Sequence, residues 1–330
     1  MNQMSVSVAM CTYNGNRYVR EQLESIAAQI RLPDEVIIVD DVSSDFTIQV
    51  IEEFCRQVSF PIRLLVNEEN LGSTKNFEKA VINCSGDIIV FADQDDIWRE
   101  DRLTKTCAFF EQNPAVNVVF SDADIIDGAS KPVGRKIWEE VQFGEQTQAK
   151  WQADKAYEIL FNGYVVTGAT MAMRRSFLPL VLPFPTHIKY LIHDAWISLI
   201  AALHGSIDFI SEPLIQYRQH ESQQVGFKAP RKKVTIWDRF TRGRQEKLKH
   251  IEAEALRYRQ LYDLLYSRKD IPKEKLQVLA QQRDHYQHRV TLPAERYRRV
   301  LPVWKEFKRG NYQRFHGYWM HTVLGDLLEN

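Results

Sequence analysis

The 330-residue chain lacks cysteines at metal-binding spacing. Its four cysteines, Cys11, Cys55, Cys84 and Cys107, form no C-x-x-C. They read as buried thiols of a reducing compartment, which excludes a disulfide scaffold and a cysteine-held metal. No apolar run approaches the ~18 residues a membrane span requires. Met1-Asn2-Gln3-Met4-Ser5 carries no basic n-region before the first apolar segment, so no signal peptide is expected. A cytoplasmic location follows, with association at the inner face of the cytoplasmic membrane left open. The first strand is followed by Cys11-Thr12-Tyr13-Asn14-Gly15-Asn16 and not by G-x-G-x-x-G. A P-loop G-x-x-x-x-G-K-[ST] is also missing, as are internal repeats and low-complexity tracts. Hydride transfer on a dinucleotide and P-loop ATP hydrolysis are therefore poor fits.

Net charge is absent as well, at a formal value of zero, but it is unevenly spread. From Lys228 onward there are 24 basic and 12 acidic residues, against 19 and 31 before it. Such asymmetry marks a boundary near residue 227 and a different environment for residues 228–330.

What is present is an alternation of strands and helices. Val6–Cys11, Glu35–Val39, Ile62–Val66 and the run into Asp93 read as strands. Arg17–Gln29, Phe46–Val58 and Ser73–Asn83 read as helices, with Ser44 and Asp45 as caps for the second. Short connections between them imply an α/β fold with a parallel sheet core. Val116–Ser121, Tyr164–Met173 and Ile207–Ile215 read as further strands. Ile192–Leu203 reads as an amphipathic helix. Residues 128–152 have weak periodicity and suit a mobile loop. From Ala229 onward the pattern is helical, with breaks expected at Pro272, Pro293 and Pro302.

Asp93-Gln94-Asp95-Asp96 is the most informative segment. It follows the apolar run Ile88–Ala92 and precedes Ile97-Trp98. Three carboxylates at a strand exit are poor core residues, because an unpaired buried carboxylate is costly. Asp93 and Asp95, two apart, point the same way in an extended segment. Hard cations take oxygen ligands, often one or two carboxylates plus substrate phosphates. The segment suits a divalent metal meeting a diphosphate. The plain alternative is an acidic turn, with Asp96 as a helix cap.

Cys11-Thr12-Tyr13-Asn14, Val39-Asp40-Asp41, Asn70-Leu71-Gly72 with Asn76, and Asp93-Gln94-Asp95-Asp96 together resemble the family 2 glycosyltransferases of the GT-A fold. His193-Asp194-Ala195-Trp196 and Tyr217-Arg218-Gln219-His220 resemble its bacterial rhamnosyltransferase-like branch. The matching motifs run from about residue 5 to about residue 222. The resemblance implies a Rossmann-like, mostly parallel sheet flanked by helices over residues 1–227. About residues 1–110 would bind the nucleotide-sugar and 111–227 the acceptor, with 228–330 a basic helical extension.

Residue by residue, the resemblance implies that Thr12, Tyr13 and Asn14 cradle the base, with Tyr13 offering a ring for stacking. Asp41 would accept hydrogen bonds from base or ribose, with Asp40 doing so instead or orienting the loop. The family places glycine after this pair, where this chain has Val42. Gly72 permits close approach, and Asn76 touches the nucleotide or fixes the loop. Asp93 and Gln94 lie on the donor side, and Trp98 lines the donor pocket or is a core residue. Asp95 would ligate Mn²⁺ or Mg²⁺, completed by His220, with Arg218 facing the diphosphate and Gln223-Gln224 on the same loop. Asp194 would be the catalytic base, a helix cap being the alternative. Thr167, Gly168, His193 and Trp196 would line the acceptor side. The reaction would be inverting transfer from dTDP-rhamnose, with UDP-hexoses close behind, to a surface polysaccharide or lipid-linked saccharide.

The tail interleaves Arg231-Lys232-Lys233, Arg242, Arg244, Arg296 and Arg298-Arg299 with Trp237, Phe240, Tyr258, Tyr262, Trp304, Phe307 and Trp319. Membrane contact, packing and a homodimer interface all fit, whereas no nucleic-acid recognition motif is present. An inactive nucleotide-sugar-binding scaffold, a nucleotidyltransferase and a tail-driven adaptor are the rival readings. Retention of Asp93, Asp95 and Asp194 together speaks against a scaffold, which needs no base.

Overall fold

The computed structural model describes residues 3–220 and 244–328. They belong to two compact units, Met1–Phe227 and Lys228–Asn330. The features read at Gln223-Gln224, Arg231-Lys232-Lys233, Trp237, Phe240 and Arg242 lie outside the described residues.

The first unit begins with β1 (Val6–Thr12), α1 (Val19–Ala27), β2 (Glu35–Asp40), α2 (Thr47–Cys55), β3 (Ile62–Val66), α3 (Ser73–Ile82) and β4 (Ile88–Ala92). Then come β5 (Ile97–Trp98), α4 (Arg102–Gln112), β6 (Val118–Asp127), β7 (Pro132–Lys136), α5 (Ile137–Glu140), α6 (Glu145–Lys150) and α7 (Ala156–Asn162). The unit closes with β8 (Met171–Arg174), α8 (Leu178–Val181), α9 (His193–Leu203) and β9 (Ile207–Gln219). The strands form one sheet in the order β3-β2-β1-β4-β8-β6-β9-β5, with β7 paired to β6. β1 is parallel to both β2 and β4, β2 to β3, and β6 to β9. β8 runs antiparallel between β4 and β6.

Every residue of β1 and β4 is buried, as expected for strands covered on both faces. α1 turns Val19, Leu23 and Ile26 inward at helical spacing. Cys11, Cys84 and Cys107 are buried free thiols, and Cys55 is half-buried. Burial pushes Cys84 up to about 12 and Cys107 up to about 11, which leaves both unreactive.

Four expectations change. Residues 128–152 are not a structureless loop, because β7, α5 and α6 occupy them. All five residues of β7 are exposed or half-buried, so no alternation announced the strand. Tyr164–Met173 is strand only from Met171, with a short 3₁₀ turn at Gly168–Thr170 before it. α9 is buried nearly all round and not amphipathic, so it is a central helix. Pro302 lies inside a helix, where burial of its neighbours Arg299 and Val303 carries the helix through.

The second unit contains α10 (Arg244–Tyr266), α11 (Lys273–Val290), α12 (Arg296–Lys308), α13 (Asn311–Phe315) and α14 (Trp319–Leu328). Leu292, Val303 and Tyr312 form a small core with Trp319, Val323 and Leu327 against it. A buried polar network joins it. Arg289 Nε donates to Asp326 at 2.8 Å, Tyr312 Oη donates to the same carboxylate at 2.8 Å, and His285 Nδ1 pairs with Glu306 at 3.0 Å. Among the described residues no helix is long and apolar enough to cross a membrane.

Candidate active site

The parallel register brings three loops to one sheet edge. Thr12 pairs with Asp40 across β1 and β2, and Met10 with Ala92 across β1 and β4. The chain thus leaves β1, β2 and β4 side by side, at the carboxyl ends where such sheets bind ligands.

Two of these loops are sutured by side chains. Tyr13 N–H donates to Gln94 Oε1 at 2.8 Å, and Gln94 Nε2 donates back to Tyr13 O at 3.1 Å. A Cβ on Gly15 would lie 2.1 Å from Gln94 Oε1, so Gly15 makes room for the suture. Asn14 takes a φ of 49°, a conformation asparagine tolerates. Its Oδ1 accepts from Ser44 N–H at 2.8 Å. Tyr13 and Asn14 are both exposed at the edge, Tyr13 at 42%.

Asp40 and Asp41 are buried and satisfied by protein donors. Asp40 accepts from Thr12 Oγ1 at 2.7 Å, from Ser43 Oγ at 2.6 Å and from Ser43 N–H at 2.8 Å. Asp41 accepts from Asn67 Nδ2 at 2.7 Å, Leu71 N–H at 2.8 Å and Gly72 N–H at 2.9 Å. Asn76 donates to Val39 O at 2.7 Å and accepts from Asn67 at 2.8 Å. Loop fixing, among the alternatives for Asp40 and Asn76, is what these contacts perform. Gly72 takes a φ of 76° at the start of α3, while Val42 holds 65° where the family has glycine. A β-branched residue there is strained.

The acidic segment is graded by depth. Asp93 is partly buried. Desolvation, then the charges of Asp95 and Asp194, push it up to about 7, against the pull of Arg102. Asp96 is 1% exposed, and burial first, then Asp95 and Asp93, raise it well above the carboxylate range. Its Oδ1 accepts Arg218 N–H at 3.0 Å, which ties β5 to β9. Asp95 Oδ2 lies 2.8 Å from His220 Nε2. The His220 ring rests 4.8 Å from the Tyr18 ring.

Arg102, absent from the sequence reading, is the cation beneath this cluster. It is 1% exposed, donates to Ala169 O at 2.7 Å and Phe91 O at 3.1 Å, and lies 3.9 Å over the Trp98 ring. Burial pulls it down to about 9. Its signal was a lone arginine on the face that α4 buries with Leu103, Thr106 and Phe110. Trp98 is accordingly a core residue and does not line a donor pocket.

Arg218 also departs from expectation. It is fully buried behind the acidic segment and does not face an open cleft. It donates to Asp95 O at 2.6 Å, Ser130 Oγ at 2.8 Å and Glu21 Oε2 at 2.6 Å. It therefore positions the backbone of Asp95. Glu21, its acidic partner, was not read from sequence.

Asp194 sits in the first turn of α9. Its Oδ2 accepts Gly168 N–H at 2.9 Å and its Oδ1 accepts Ala195 N–H at 2.6 Å. Thr167, partly exposed, closes the 3₁₀ turn by accepting from Thr170 N–H at 2.9 Å. His193 and Trp196 are buried beneath this segment. The His193 ring is 5% exposed and stacked 4.0 Å from Phe77, while Trp196 Nε1 donates to Val181 O at 2.7 Å. A motif gives residue type and not the helix face. Burial lowers the pKa of His193, against the opposing charge of Asp194.

A crest of carboxylates at the carboxyl edge of a mostly parallel sheet, backed by helices, is the architecture of a glycosyltransferase of the GT-A fold. Residues 7–179 match the Glycosyl transferase family 2, and the chain belongs to that family. A dTDP-rhamnosyl transferase of Shigella flexneri, RfbG, is 31% identical over 243 residues, 69% of this chain and 78% of that one. An uncharacterized glycosyltransferase of Nostoc sp. is 29% identical over 66% of this chain and 65% of its own length. Staphylococcus aureus TarS residues 1–349, solved with UDP-GlcNAc, superposes with a TM-score of 0.57 at 17% identity, over 98% of this chain and 89% of that one. The mannosyltransferase PcManGT of Pyrobaculum calidifontis, solved with GDP-Man and Mn²⁺, gives 0.53 at 16% identity, over 99% and 86%. At such identities the structures establish the shared GT-A fold.

Proposed function

We propose that this glycosyltransferase moves L-rhamnose from dTDP-rhamnose, with inversion, onto a bacterial surface polysaccharide or lipid-linked saccharide. The observation that carries the chemistry is the pairing of an Asp95–His220 couple at the sheet edge with an Asp194 carboxylate held by two backbone N–H groups. The donor sugar is supported by the likeness to the Shigella transferase. UDP-hexose transfer is the second reading, favoured by the likeness to TarS, solved with UDP-GlcNAc.

The donor set suits a divalent ion. Asp95 and His220, whose side chains meet at 2.8 Å, would hold it together with the oxygens of the diphosphate. Imidazole beside carboxylate favours Mn²⁺ over Mg²⁺. Such an ion would supply positive charge against the departing diphosphate. Arg218 holds the Asp95 backbone in place for it. The exposed Tyr13 ring offers the base a stacking face.

Gly168 and Ala195 N–H hold the Asp194 carboxylate in place at the amino end of α9. A carboxylate has about four lone-pair sites, so it can still accept the acceptor's proton. The acceptor oxygen then attacks the anomeric carbon as that proton leaves. Asp194→Asn keeps the shape and removes the base. Turnover, read as released nucleoside diphosphate, is expected to fall ~10²–10⁴-fold with donor binding unchanged. Wild-type turnover in that variant would place the base elsewhere. A panel of dTDP-rhamnose and UDP-hexoses decides the donor.

A further inference from the structure

We propose that the second unit docks on an anionic lipid surface through α12 and the adjoining face of α14. α12 packs inside out. Its inward residues are Arg299, Val303 and Glu306, at 3%, 2% and 3% exposure. Two of the three are charged, and both are satisfied within the unit. Arg299 Nε donates to Pro293 O at 2.7 Å, and Glu306 pairs with His285 at 3.0 Å. Its outward residues include a run of apolar side chains. Tyr297 is 73% exposed, Val300 58%, Leu301 58%, Trp304 49% and Phe307 37%.

The spacing from 297 through 300 and 301 to 304 is that of one helical stripe. At ~100° per residue its centre lies ~130° round the helix from the buried face. The stripe is therefore turned away from the core that holds the helix. The Phe307 and Trp319 rings, 5.6 Å apart, join it to α14. Tyr318, just before α14, and Met320 and Leu324 on it are exposed at 79%, 60% and 42%. Monomeric soluble proteins rarely present contiguous apolar patches above a few hundred Å² without a partner.

Charge selects the occupant. Arg296, Arg298, Lys305 and Lys308 are exposed along α12 against the exposed Glu295, while Arg309 at its end pairs with the buried Glu306 at 2.9 Å. Lys308 Nζ lies 4.1 Å from the Trp304 ring. A second copy binding through the same face would set these cations against their own images, because a two-fold contact is self-complementary. An anionic lipid surface instead accepts both components. The headgroups meet the cations and the stripe enters the acyl boundary. Trp304, Tyr297 and Tyr318 have the apolar body and polar tip suited to that boundary. The proposal does not depend on the donor or acceptor named above.

The test is sedimentation of the full chain with vesicles of phosphatidylcholine alone and of phosphatidylcholine with phosphatidylglycerol. Binding is expected only to the anionic vesicles and is weakened by salt. A Leu301→Glu/Trp304→Glu variant should bind at least ~10-fold less, since both side chains lose their burial. Arg298→Glu/Lys305→Glu alters charge alone and should also bind at least ~10-fold less. These exposed changes should leave thermal unfolding and donor turnover unaltered, which separates this proposal from the donor assignment. Absence of vesicle binding, or equal binding by both variants, overturns it. So does light scattering that shows a wild-type dimer split by the stripe variant.

Discussion

Replacing Gly168 with alanine is expected to slow turnover by up to ~10²-fold and to destabilise the protein by about 1–3 kcal/mol. Gly168 is not in the left-handed region, so alanine meets no backbone penalty there. The whole effect is contact. A Cβ would stand 2.8 Å from His193 Nε2 and 3.3 Å from Asp194 Oδ2. The imidazole has little freedom to yield, because it is buried and stacked 4.0 Å from Phe77. The backbone of the 3₁₀ turn must shift instead, and it carries the N–H that orients Asp194. Overpacking of this kind costs about 1–3 kcal/mol. Misplacing a reacting group by ~1 Å costs up to ~10²-fold in rate. The assay is kcat and KM by nucleotide release, beside urea unfolding. The loss should fall on kcat, since Gly168 holds the base and not the donor. Adding His193→Ala to Gly168→Ala empties the space and should restore part of kcat. Wild-type turnover in Gly168→Ala, or no relief in the double variant, would refute this reasoning.

Val42→Gly should stabilise the protein by about 0.5–1 kcal/mol, read as a higher urea midpoint, as removal of a strained φ of 65° outweighs the added chain entropy. An unchanged or lower midpoint would mean the loop carries no strain. Acid should weaken the second unit. His316 is held down at about 3 by burial, then by Arg289 and His285. Burial alone would raise Glu306, but hydrogen bonds from His285, Asn311 and Arg309 hold it at about 2. Both folded pKa values lie below their unfolded ones, so the unfolded chain binds more protons between them and stability falls as pH falls. His316 contributes fully above its unfolded value of 6.5, and its loss runs down to about 3. On the order of 1–2 kcal/mol should vanish between pH 6.5 and 5. Urea unfolding across that range, with His316→Gln flattening the slope, checks it, and an unaltered slope in the variant would assign the protons to other groups.

The parallel half of the sheet was legible because Val6–Thr12 and Ile88–Ala92 are continuous apolar runs that burial on both faces requires. The acidic exit of β4 and the opening of α9 at His193-Asp194 were legible for the same reason, as polar residues bounding apolar segments. β7 was not, because an exposed strand of Pro132–Lys136 gains its structure from pairing with β6 and leaves no pattern of its own. Orientation was the second loss. Trp98, His193, Trp196 and Arg218 were found as chemistry-bearing types, but their burial depends on which face meets which helix. Arg102 and Gly15 escaped because their roles exist only across long sequence separations, to Ala169 and to Gln94.

The most direct test of the central claim is the melting temperature of the full chain with dTDP or UDP, each with Mn²⁺ and with EDTA. Ligand binding to the native state raises it by mass action. The expected result is stabilisation by a pyrimidine diphosphate that needs the metal and disappears in Asp95→Ala. No stabilisation by either nucleotide, or stabilisation indifferent to metal and to Asp95, would contradict a donor site at this sheet edge.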